Sequence, residues 1–265
     1  MRILFVGDIV GRPGRRFLQQ RLPALKDELQ VDLVVANGEN AAGGMGITEK
    51  VGQELFRAGV DAITLGNHTW DKPDGLPLLD HPHVVRPLNY APGLPGKGWT
   101  VVRKEGLPPV AVLNAMGRVF MGLLLDDPFR RLDEALEAIP KEVTIRLVDV
   151  HAEATSEKLA LGFYLDGRVT AVIGTHTHVQ THDAVLLPKG TAYLSDAGMT
   201  GPWPSVIGIQ HQQIIQRFLT QTPLRFEVAD EPAQLSGALL DVDPATGKAF
   251  SIGVILEREA QEKGE

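Results

Sequence analysis

The 265-residue chain contains no cysteine and few aromatic residues, with only three tryptophans and three tyrosines. It can therefore form neither a disulfide nor a thiolate metal site, and it offers no cysteine nucleophile. It has no apolar run long enough to span a bilayer. The amino-terminal stretch "MRILFVGDIV" carries an aspartate inside a short apolar run, unlike a signal peptide. We therefore expect a cytoplasmic protein with no membrane partner.

An excess of positive charge is also absent, because 26 Lys and Arg residues face 33 Asp and Glu residues, for a formal net charge of −7. Broad binding to a phosphate backbone needs a basic surface, so we expect no extended nucleic acid as a partner. A small phosphate ligand held by metal ions remains compatible with this charge.

Apolar segments rich in Val, Ile and Leu recur along the first two thirds of the chain. They are near-continuous rather than alternating, which is typical of strands covered on both faces. These segments span residues 3–7, 31–36, 60–66, 109–115, 143–150 and 169–174. Between them, residues 15–29 form an amphipathic stripe that Pro23 should kink or divide into two helices. Thr48 should cap a helix over 48–59. The first third thus alternates strand and helix.

The later part of the chain has the spacing of an antiparallel meander. The predicted strands are 183–188, 191–198, 224–230, 236–243 and 250–259. No linker, repeat or low-complexity segment divides the chain, so we expect residues 1–265 to form a single domain. It would contain a mixed sheet or two packed sheets flanked by helices, an α/β (α+β) class. The tail "EREAQEKGE" should fray.

Polar side chains able to bind metal directly follow five of the predicted strands. The carboxyl ends of parallel strands meet at one crevice, where α/β proteins bind ligands, so these side chains should converge. They are Asp8, Glu39, Asn40, Asn67, His68, His151, His176 and His178.

Taken singly, these residues have ordinary structural explanations. Asp8 could cap a helix or close a turn, Asn40 and Asn67 are common turn residues, and His151 could be a buried structural histidine. The His-x-His spacing recurs in "DHPHVV" (80–85), which we interpret as surface. What favours a functional site is the recurrence of such residues at the same end of five strands.

The donor types indicate a metal site. Carboxylate, amide and imidazole ligands without thiolate suit Mn, Fe or Zn. Two adjacent metal ions need a bridging carboxylate, for which Glu39 is the natural candidate. His68 is placed to act as a general acid. Asp71 either orients His68 or caps the following helix.

The order of these motifs resembles that of the calcineurin-like metallophosphoesterases. More narrowly, "GDIVGRPGR", "NGENAAGG", "GNHTWD", "HAEATSEK" and "GTHTHVQT" resemble the YmdB-like family through nearly the whole chain. The broader superfamily has a histidine where this chain has Val10 and an aspartate where it has Glu39. The YmdB-like family is similar to this chain in both respects, and there the residue after the glutamate supplies the missing ligand.

The resemblance implies two divalent or trivalent metal ions. The first would take Asp8, Glu39, Asn40 and His178, and the second Glu39, Asn67, His151 and His176. Fe is the expected metal, with Mn a workable substitute. The implied fold is a β-sandwich of mixed sheets with flanking helices. The implied enzyme is a phosphodiesterase that hydrolyses cyclic nucleotides such as 2′,3′-cyclic AMP, with homodimers or homotetramers expected.

Residues on the substrate side are less constrained by the sequence. Thr155, Ser156 and Lys158 either reach a phosphate or ribose or form a helix start with a solvated lysine. Tyr90 and Trp203, in Gly/Pro-rich loops, either stack on a base or serve an oligomer interface. Two alternative functions stay open, a phosphomonoesterase or protein phosphatase and a weakly active metal-binding signalling protein.

Overall fold

We describe the protein from a computed structural model, which covers residues 1–230 and 232–260. The last five residues of the predicted frayed tail lie outside this range. The α-helices are α1 (Gly11–Leu29), α2 (Glu49–Arg57), α3 (Pro128–Ala138), α4 (Thr155–Leu165) and α5 (His211–Thr220). A 3₁₀ helix spans Pro73–Asp80. None of the described helices combines the length and the apolar character that a membrane crossing requires.

The strands form two sheets, each of which mixes parallel and antiparallel pairs. The first is ordered β2-β12-β13-β1-β3-β4-β5, with β14 paired to β13. Its members are β1 (Arg2–Val6), β2 (Asp8–Ile9), β3 (Leu33–Asn37), β4 (Ala62–Thr64), β5 (Val84–Val85), β12 (Met199–Pro202), β13 (Ala233–Val242) and β14 (Ala249–Arg258). The second is ordered β10-β11-β9-β8-β7-β6. Its members are β6 (Trp99–Val102), β7 (Val110–Met116), β8 (Ile145–His151), β9 (Ala171–Thr175), β10 (Val185–Leu186) and β11 (Ala192–Leu194).

The sheets pack face to face and carry helices on their outer faces. Side chains such as Phe5 of β1 and Val112 of β7 share the apolar core between the sheets. The outer face of the first sheet packs with residues of α1 and α2, and that of the second with residues of α3 and α4. Both faces of the central strands are therefore buried, which explains their continuous apolar sequences. The predicted sandwich of mixed sheets flanked by helices is confirmed. That residues 1–265 form a single domain stays a prediction.

Several local predictions were wrong. Residues 224–230 do not form a strand; only Val228 makes an isolated bridge, to Ile209, because no strand lies beside this segment. The predicted meander is only partly correct. Strands β10 and β11 pair antiparallel as expected, but β11 also runs parallel to β9. The pattern does not predict β12, which runs parallel to β2 and antiparallel to β13. Only β13 and β14 form the expected long antiparallel pair.

Helix predictions were partly correct. The α1 helix runs unbroken through Pro23 rather than dividing there. Pro23 and Gln19 lie on the exposed face, so water can bind the carbonyl that proline leaves without a partner. Thr48 caps α2 as expected, because its side chain accepts a hydrogen bond from Val51 N. The patterns considered above do not predict α3 or α5.

Candidate metal centre

Seven of the eight polar residues predicted from the strand ends meet where the two sheets face each other. The first sheet contributes Asp8, at the start of β2, and Glu39 and Asn40 from the turn after β3. It also contributes Asn67 from the loop after β4. The second sheet contributes His151, the last residue of β8, and the two histidines that follow β9. His68, the eighth, lies at the edge of the same cluster.

The buried half of the centre is arranged around His151. Its Nε2 lies 3.0 Å from Glu39 Oε1, 2.9 Å from Asn67 Oδ1 and 3.1 Å from His176 Nδ1. A neutral imidazole nitrogen can donate one proton at most, so it cannot satisfy three neighbours at once. One possible metal-ligand atom from each of Glu39, His151 and His176 lies within 4.8 Å of the other two. Such a cluster of electron-pair donors suits a cation.

The other half consists of Asp8, Asn40 and His178. His178 Nε2 lies 3.8 Å from Asp8 Oδ1 and 3.2 Å from Asn40 Nδ2. Asp8 Oδ1 and Asn40 Oδ1 are buried without a hydrogen-bond partner among the described residues. An unpaired buried carboxylate or amide oxygen is costly unless something else binds it. A metal ion would satisfy Asp8 Oδ1. It would also bind Asn40 Oδ1 once the amide is turned over, because Nδ2 is the atom that faces Glu39 Oε1 and His178 Nε2, at 3.1 and 3.2 Å. With that rotation the residues fit this kind of ligand.

Each of the three imidazoles turns one nitrogen toward the cluster and has the other near a hydrogen-bond partner. His151 Nδ1 lies 2.9 Å from Thr175 Oγ1, and His178 Nδ1 lies 3.0 Å from Ile207 O. His176 Nε2 lies 3.3 Å from a carboxylate oxygen of Glu153. This division is typical of metal-binding histidines, because the outer partner fixes the ring and its tautomer.

Burial and mutual charge shift the pKa values of these groups when no metal is bound. Burial disfavours the charged forms of Glu39 and His151, but their pairing outweighs it. The pairing lowers the pKa of Glu39 to about 2 and raises the pKa of His151 to about 9. Burial raises the pKa of Asp8 to about 6. Burial and the nearby His151 lower the pKa of His176 to about 3.

A buried hydrogen-bond chain supports His151 from behind. Thr175 Oγ1, which faces His151, also lies 2.7 Å from Asp149 Oδ1 and donates to it. The other oxygen of Asp149 accepts hydrogen bonds from Thr64 and Asn37. Sequence analysis missed these residues. The available signal was an aspartate in the middle of an apolar strand, since a buried carboxylate needs partners.

A second buried network holds the loop that carries His176 and His178. Asp196 Oδ2 accepts hydrogen bonds from the backbone N–H of Thr177, at 3.1 Å, and from its hydroxyl, at 2.6 Å. The same oxygen lies 2.9 Å from Lys158 Nζ, in an ion pair that is almost fully buried. Both histidines have positive φ angles, 97° and 63°. Such a backbone is uncommon outside glycine and persists where surrounding contacts enforce it.

Gly66 allows Glu39 and His151 to pack directly against the backbone of the turn that leads to Asn67. A side chain at this position would overlap the Glu39 carboxylate and the His151 ring. Its carbonyl accepts a hydrogen bond from the hydroxyl of Thr69 at 2.6 Å, which helps to fix the turn leading to Asn67 and His68. Only glycine lets the backbone come so near these ligands.

His68 lies at the rim of the centre. Its backbone N–H donates to Glu39 Oε2 at 3.1 Å, and its Nδ1 lies 2.7 Å from Asp71 Oδ2. Its side chain is 27% exposed. Of the two roles left open for Asp71, the geometry favours orienting His68, since the 3₁₀ helix begins at Pro73 with no side-chain cap.

A cleft of about 210 Å³ opens onto these groups. Its polar floor includes Glu39, Asn40, His68, His176 and His178, and its apolar wall includes Val10, Met45, Ile207, Ile209 and Phe226. Polar and apolar surfaces thus meet in one cleft, as in small-molecule sites.

The remaining candidates are not part of the ligand cluster. Thr155 and Ser156 are the first two residues of α4 and are exposed. Lys158 is 2% exposed and paired with Asp196, so it is neither solvated nor free to reach a substrate. Tyr90 is buried, with its ring edge-on to Trp70, so it cannot stack on a base. Trp203 is exposed and has the Arg258 guanidinium 5.1 Å from its ring centroid.

The chain is similar to known proteins along nearly its whole length. It is 51% identical over 257 residues, or 97% of each chain, to the 2′,3′-cyclic-nucleotide 2′-phosphodiesterase of Bacillus subtilis (strain 168). A hypothetical protein from Thermus thermophilus has a similar crystal structure, with a TM-score of 0.92, 46% identity and coverage of 98% of this chain and 100% of that one. A novel phosphatase from Mycoplasma pneumoniae gives a TM-score of 0.92 at 36% identity, covering 99% of this chain and 95% of that one.

These relatives agree with the predicted class of enzyme, a phosphoric diester hydrolase, and with the predicted calcineurin-like fold. The family model described as YmdB-like protein matches residues 4–255. The resemblance inferred from the motifs is therefore confirmed, and the chain belongs to the YmdB-like protein family.

Proposed function

We propose that this protein is a metal-dependent phosphodiesterase that hydrolyses cyclic nucleotides, with 2′,3′-cyclic AMP as the substrate to test first. The observation that carries the proposal is the convergence of Asp8, Glu39 and three imidazoles on one point beside a cleft. The name of the Bacillus subtilis relative supports the same substrate class. By analogy with that name, the bond broken would be the ester to O2′.

Two metal ions would be held as the resemblance implies. Asp8, Glu39, Asn40 and His178 would hold one, and Glu39, Asn67, His151 and His176 would hold the other. When bound, such a pair offsets the negative charge of the phosphodiester and lowers the pKa of a bound water. The four oxygen ligands and three imidazoles suit Fe, with Mn as a substitute.

The protein's own contribution at the leaving group is His68. Its Nδ1 faces Asp71, which leaves Nε2 available to an oxygen of the substrate. Hydrolysis of the cyclic ester breaks the P–O2′ bond, and the oxygen of water becomes bonded to phosphorus. As that bond breaks, His68 donates the proton that O2′ needs to leave as a hydroxyl group, and the proton that the water loses on bonding to phosphorus restores His68. The backbone N–H of His68 stays bonded to Glu39, so the general acid is fixed to the ligand cluster.

The apolar wall of the cleft would receive the base. Phe226, Ile207 and Met45 line the same cleft as the ligands, and each of them is exposed to solvent. A nucleobase has an apolar face that stacks on such side chains without requiring specific hydrogen bonds. We therefore expect broad tolerance of the base, with affinity arising from this wall. Thr155 and Ser156 remain candidates for the ribose or phosphate side.

The test follows 2′,3′-cyclic AMP by phosphorus NMR with protein reloaded with Mn. We expect wild type to form the 3′-monophosphate, and a His176→Ala variant to form none. His182→Ala is the matched control, because His182 is exposed and is not one of the proposed ligands. If wild type retains its metal and leaves the substrate intact, cyclic nucleotides are not the substrate class.

A phosphomonoesterase is the second candidate, supported by the similar Mycoplasma pneumoniae protein, which is described as a phosphatase. Comparing kcat/KM for p-nitrophenyl phosphate and bis(p-nitrophenyl) phosphate separates the two. Preference for the diester supports the main proposal, and strong preference for the monoester supports the second. The predicted homodimer or homotetramer stays a prediction, which sedimentation equilibrium can measure.

A further inference from the structure

A second pocket, about 210 Å³ in volume, lies at the opposite end of the second sheet from the metal centre. We call it the basic pocket and define it by Lys141, Arg146, Arg168, Lys189 and Lys248, which line it. They come from loops or strand starts at the amino ends of β8, β9 and β11, and from the turn between β13 and β14. Because these three strands are parallel, their amino ends all face away from the metal centre.

The charge of this pocket is unusual for the chain. The protein has a net charge of −7, yet the basic pocket has five cationic side chains and no carboxylate among its lining residues. Within the described ranges, Arg168 pairs with Asp133, and the other four cations make no ion pair. Four cationic side chains are therefore available to bind an anion in the pocket.

Two carboxylates near the pocket, Asp166 and Asp243, are already engaged in local hydrogen bonds. Asp166 is buried and accepts the backbone N–H groups of Lys189 and Thr191, at 2.9 and 3.3 Å. Asp243 accepts the N–H of Ala245 and the hydroxyl of Thr246. Both carboxylates shape the turns that carry the lysines, and neither one lines the pocket.

Arg146 lies at the centre of this arrangement. It is half-buried, and its Nε donates to Val143 O at 3.1 Å, which fixes the guanidinium plane. Burial lowers the pKa of Arg146, and repulsion from the neighbouring Arg168 lowers it further. An anion would relieve this repulsion, and a guanidinium matches phosphate oxygens in a bidentate manner.

Hydrogen bonds to the second sheet fix the backbone segments that line the pocket. Thr170 accepts the backbone N–H of Arg146 at 2.9 Å and donates to Gly247 O at 2.6 Å, so it ties the β13–β14 turn to β8 and β9. A side chain at Gly247 would overlap the backbone of Thr144. The cations are therefore presented from a preformed frame, which lowers the entropic cost of binding.

We propose that the basic pocket binds a small oligophosphate, a ligand with two or more linked phosphate groups. Four unpaired cations exceed what a single phosphate group neutralises, whereas linked phosphates carry more charge in a compact volume. No aromatic side chain lines the pocket, so recognition rests on the phosphates rather than on a base. An extended nucleic acid would need a basic surface well beyond one pocket, which the net charge of −7 does not favour.

This site is separate from the metal centre and does not depend on the proposed function. Arg146 and His151 lie on the same strand, β8, five positions apart, which corresponds to roughly 16 Å at 3.3 Å per residue. Binding can therefore be measured without any turnover.

Isothermal titration of the metal-loaded protein with magnesium pyrophosphate tests the proposal, since excess magnesium keeps the probe from stripping the centre. We expect Arg146→Gln to weaken binding by about tenfold or more, with partial rescue by Arg146→Lys. A double variant, Lys189→Gln with Lys248→Gln, should weaken pyrophosphate binding to a similar extent. Both lysines are exposed, so this variant should keep the fold. The matched control, Lys50→Gln with Arg57→Gln on α2, removes the same charge elsewhere and should bind as wild type does.

Three results would overturn the proposal. Wild type could fail to bind the probe. The Lys189→Gln and Lys248→Gln protein could bind it as tightly as the α2 control. Binding could vanish in His176→Ala yet persist in the pocket variants, which would assign the anion to the metal centre. Retention of binding by His176→Ala supports the basic pocket, whatever that variant does to catalysis.

Discussion

Glu39 and His151 lie 3.0 Å apart, between Oε1 and Nε2, and both side chains are almost completely buried. Glu39 belongs to a turn of the first sheet, whereas His151 ends a strand of the second. Their pairing joins the two sheets at the end of the sandwich where the polar loops meet. Buried acidic and basic groups in such a place indicate a functional site, because packing alone would favour apolar residues there.

Replacing Glu39 by glutamine should remove the proposed bridging carboxylate while keeping its shape. We expect both metal content and turnover to fall by more than the ~10–100-fold typical of losing an outer hydrogen-bond partner. Elemental analysis and a turnover assay on the same sample measure this. Glu153→Gln, which changes only the group beside His176 Nε2, should show the smaller effect. Equal effects of the two variants would contradict the bridging role.

Removing the Thr175 hydroxyl should loosen His151. In Thr175→Val, the chain from Asp149 to His151 Nδ1 is broken, so we expect metal affinity to fall ~10–100-fold. Leaving one Asp149 oxygen without its donor should also cost about 1–3 kcal/mol of unfolding free energy. Thr175→Ser keeps the hydroxyl and should largely restore both quantities. Metal titration and denaturant unfolding test the pair, and a neutral result for valine would count against the supporting role.

His68→Asn should separate catalysis from metal binding. We expect kcat to fall by about 10²–10⁴-fold while metal content stays at the wild-type level, because His68 is a proposed acid and not a ligand. Asp71→Asn should lower kcat less, with little change in KM, since Asp71 only orients the ring. If His68→Asn loses its metal, the imidazole is a ligand instead. If its kcat is unchanged, another group donates the proton.

The metal-free protein should lose stability as the pH rises from 6.5 to about 9. The pKa of His151 is raised to about 9 by Glu39, so the stabilising charge is present below pH 6.5 and is lost through pH 9. Asp8, with its pKa raised to about 6, has largely ionised before this window. One proton gives a slope of at most ~1.4 kcal/mol per pH unit. Urea unfolding of chelator-treated protein measures it, and His151→Gln should lack the slope.

Phe226 should contribute to binding of the base. In Phe226→Ala we expect KM for 2′,3′-cyclic AMP to rise by about tenfold, at the low end of base–aromatic stacking because Phe226 is partly exposed. Glycerol 1,2-cyclic phosphate lacks a base, so its KM should not change. Phe218→Ala is a matched control, since Phe218 is exposed on α5 and does not line the cleft. Equal changes for both substrates would argue against a base contact.

Much of the fold could be predicted because strands that are buried on both faces have continuous apolar sequences. The strand pattern correctly indicated β1, β3, β4, β7, β8 and β9, and with them the end of the sheet where polar residues gather. It misjudged the segment around Phe226, whose alternating residues resemble a strand although no neighbouring strand pairs with it. Alternation of apolar and polar residues is a property of the local sequence. Whether such a segment forms a strand depends on another strand, distant in the sequence, to pair with it.

The supporting residues of the site could not be predicted, because their function depends on contacts between distant segments. Asp149 is marked in the sequence only as an aspartate within an apolar strand, and Asp196 carries no such signal. Their partners, Thr175 and Thr177, are visible only in the fold. The sequence predicts a solvated or substrate-facing Lys158, yet this lysine is buried against Asp196. The candidate ligands were easier, because each one lies at, or within about three residues of, the carboxyl end of a strand. Their proximity is a feature of the fold, and their binding of metal stays a prediction.

The most direct test is the metal content per chain of Mn-reloaded protein, measured together with turnover of 2′,3′-cyclic AMP in wild type and His176→Ala. We expect two metal ions per chain and turnover in wild type, with His176→Ala losing metal and activity in parallel. Full turnover by chelator-treated wild type without metal, or by a His176→Ala protein that has lost its metal, would contradict the assignment of this cluster as a catalytic metal centre.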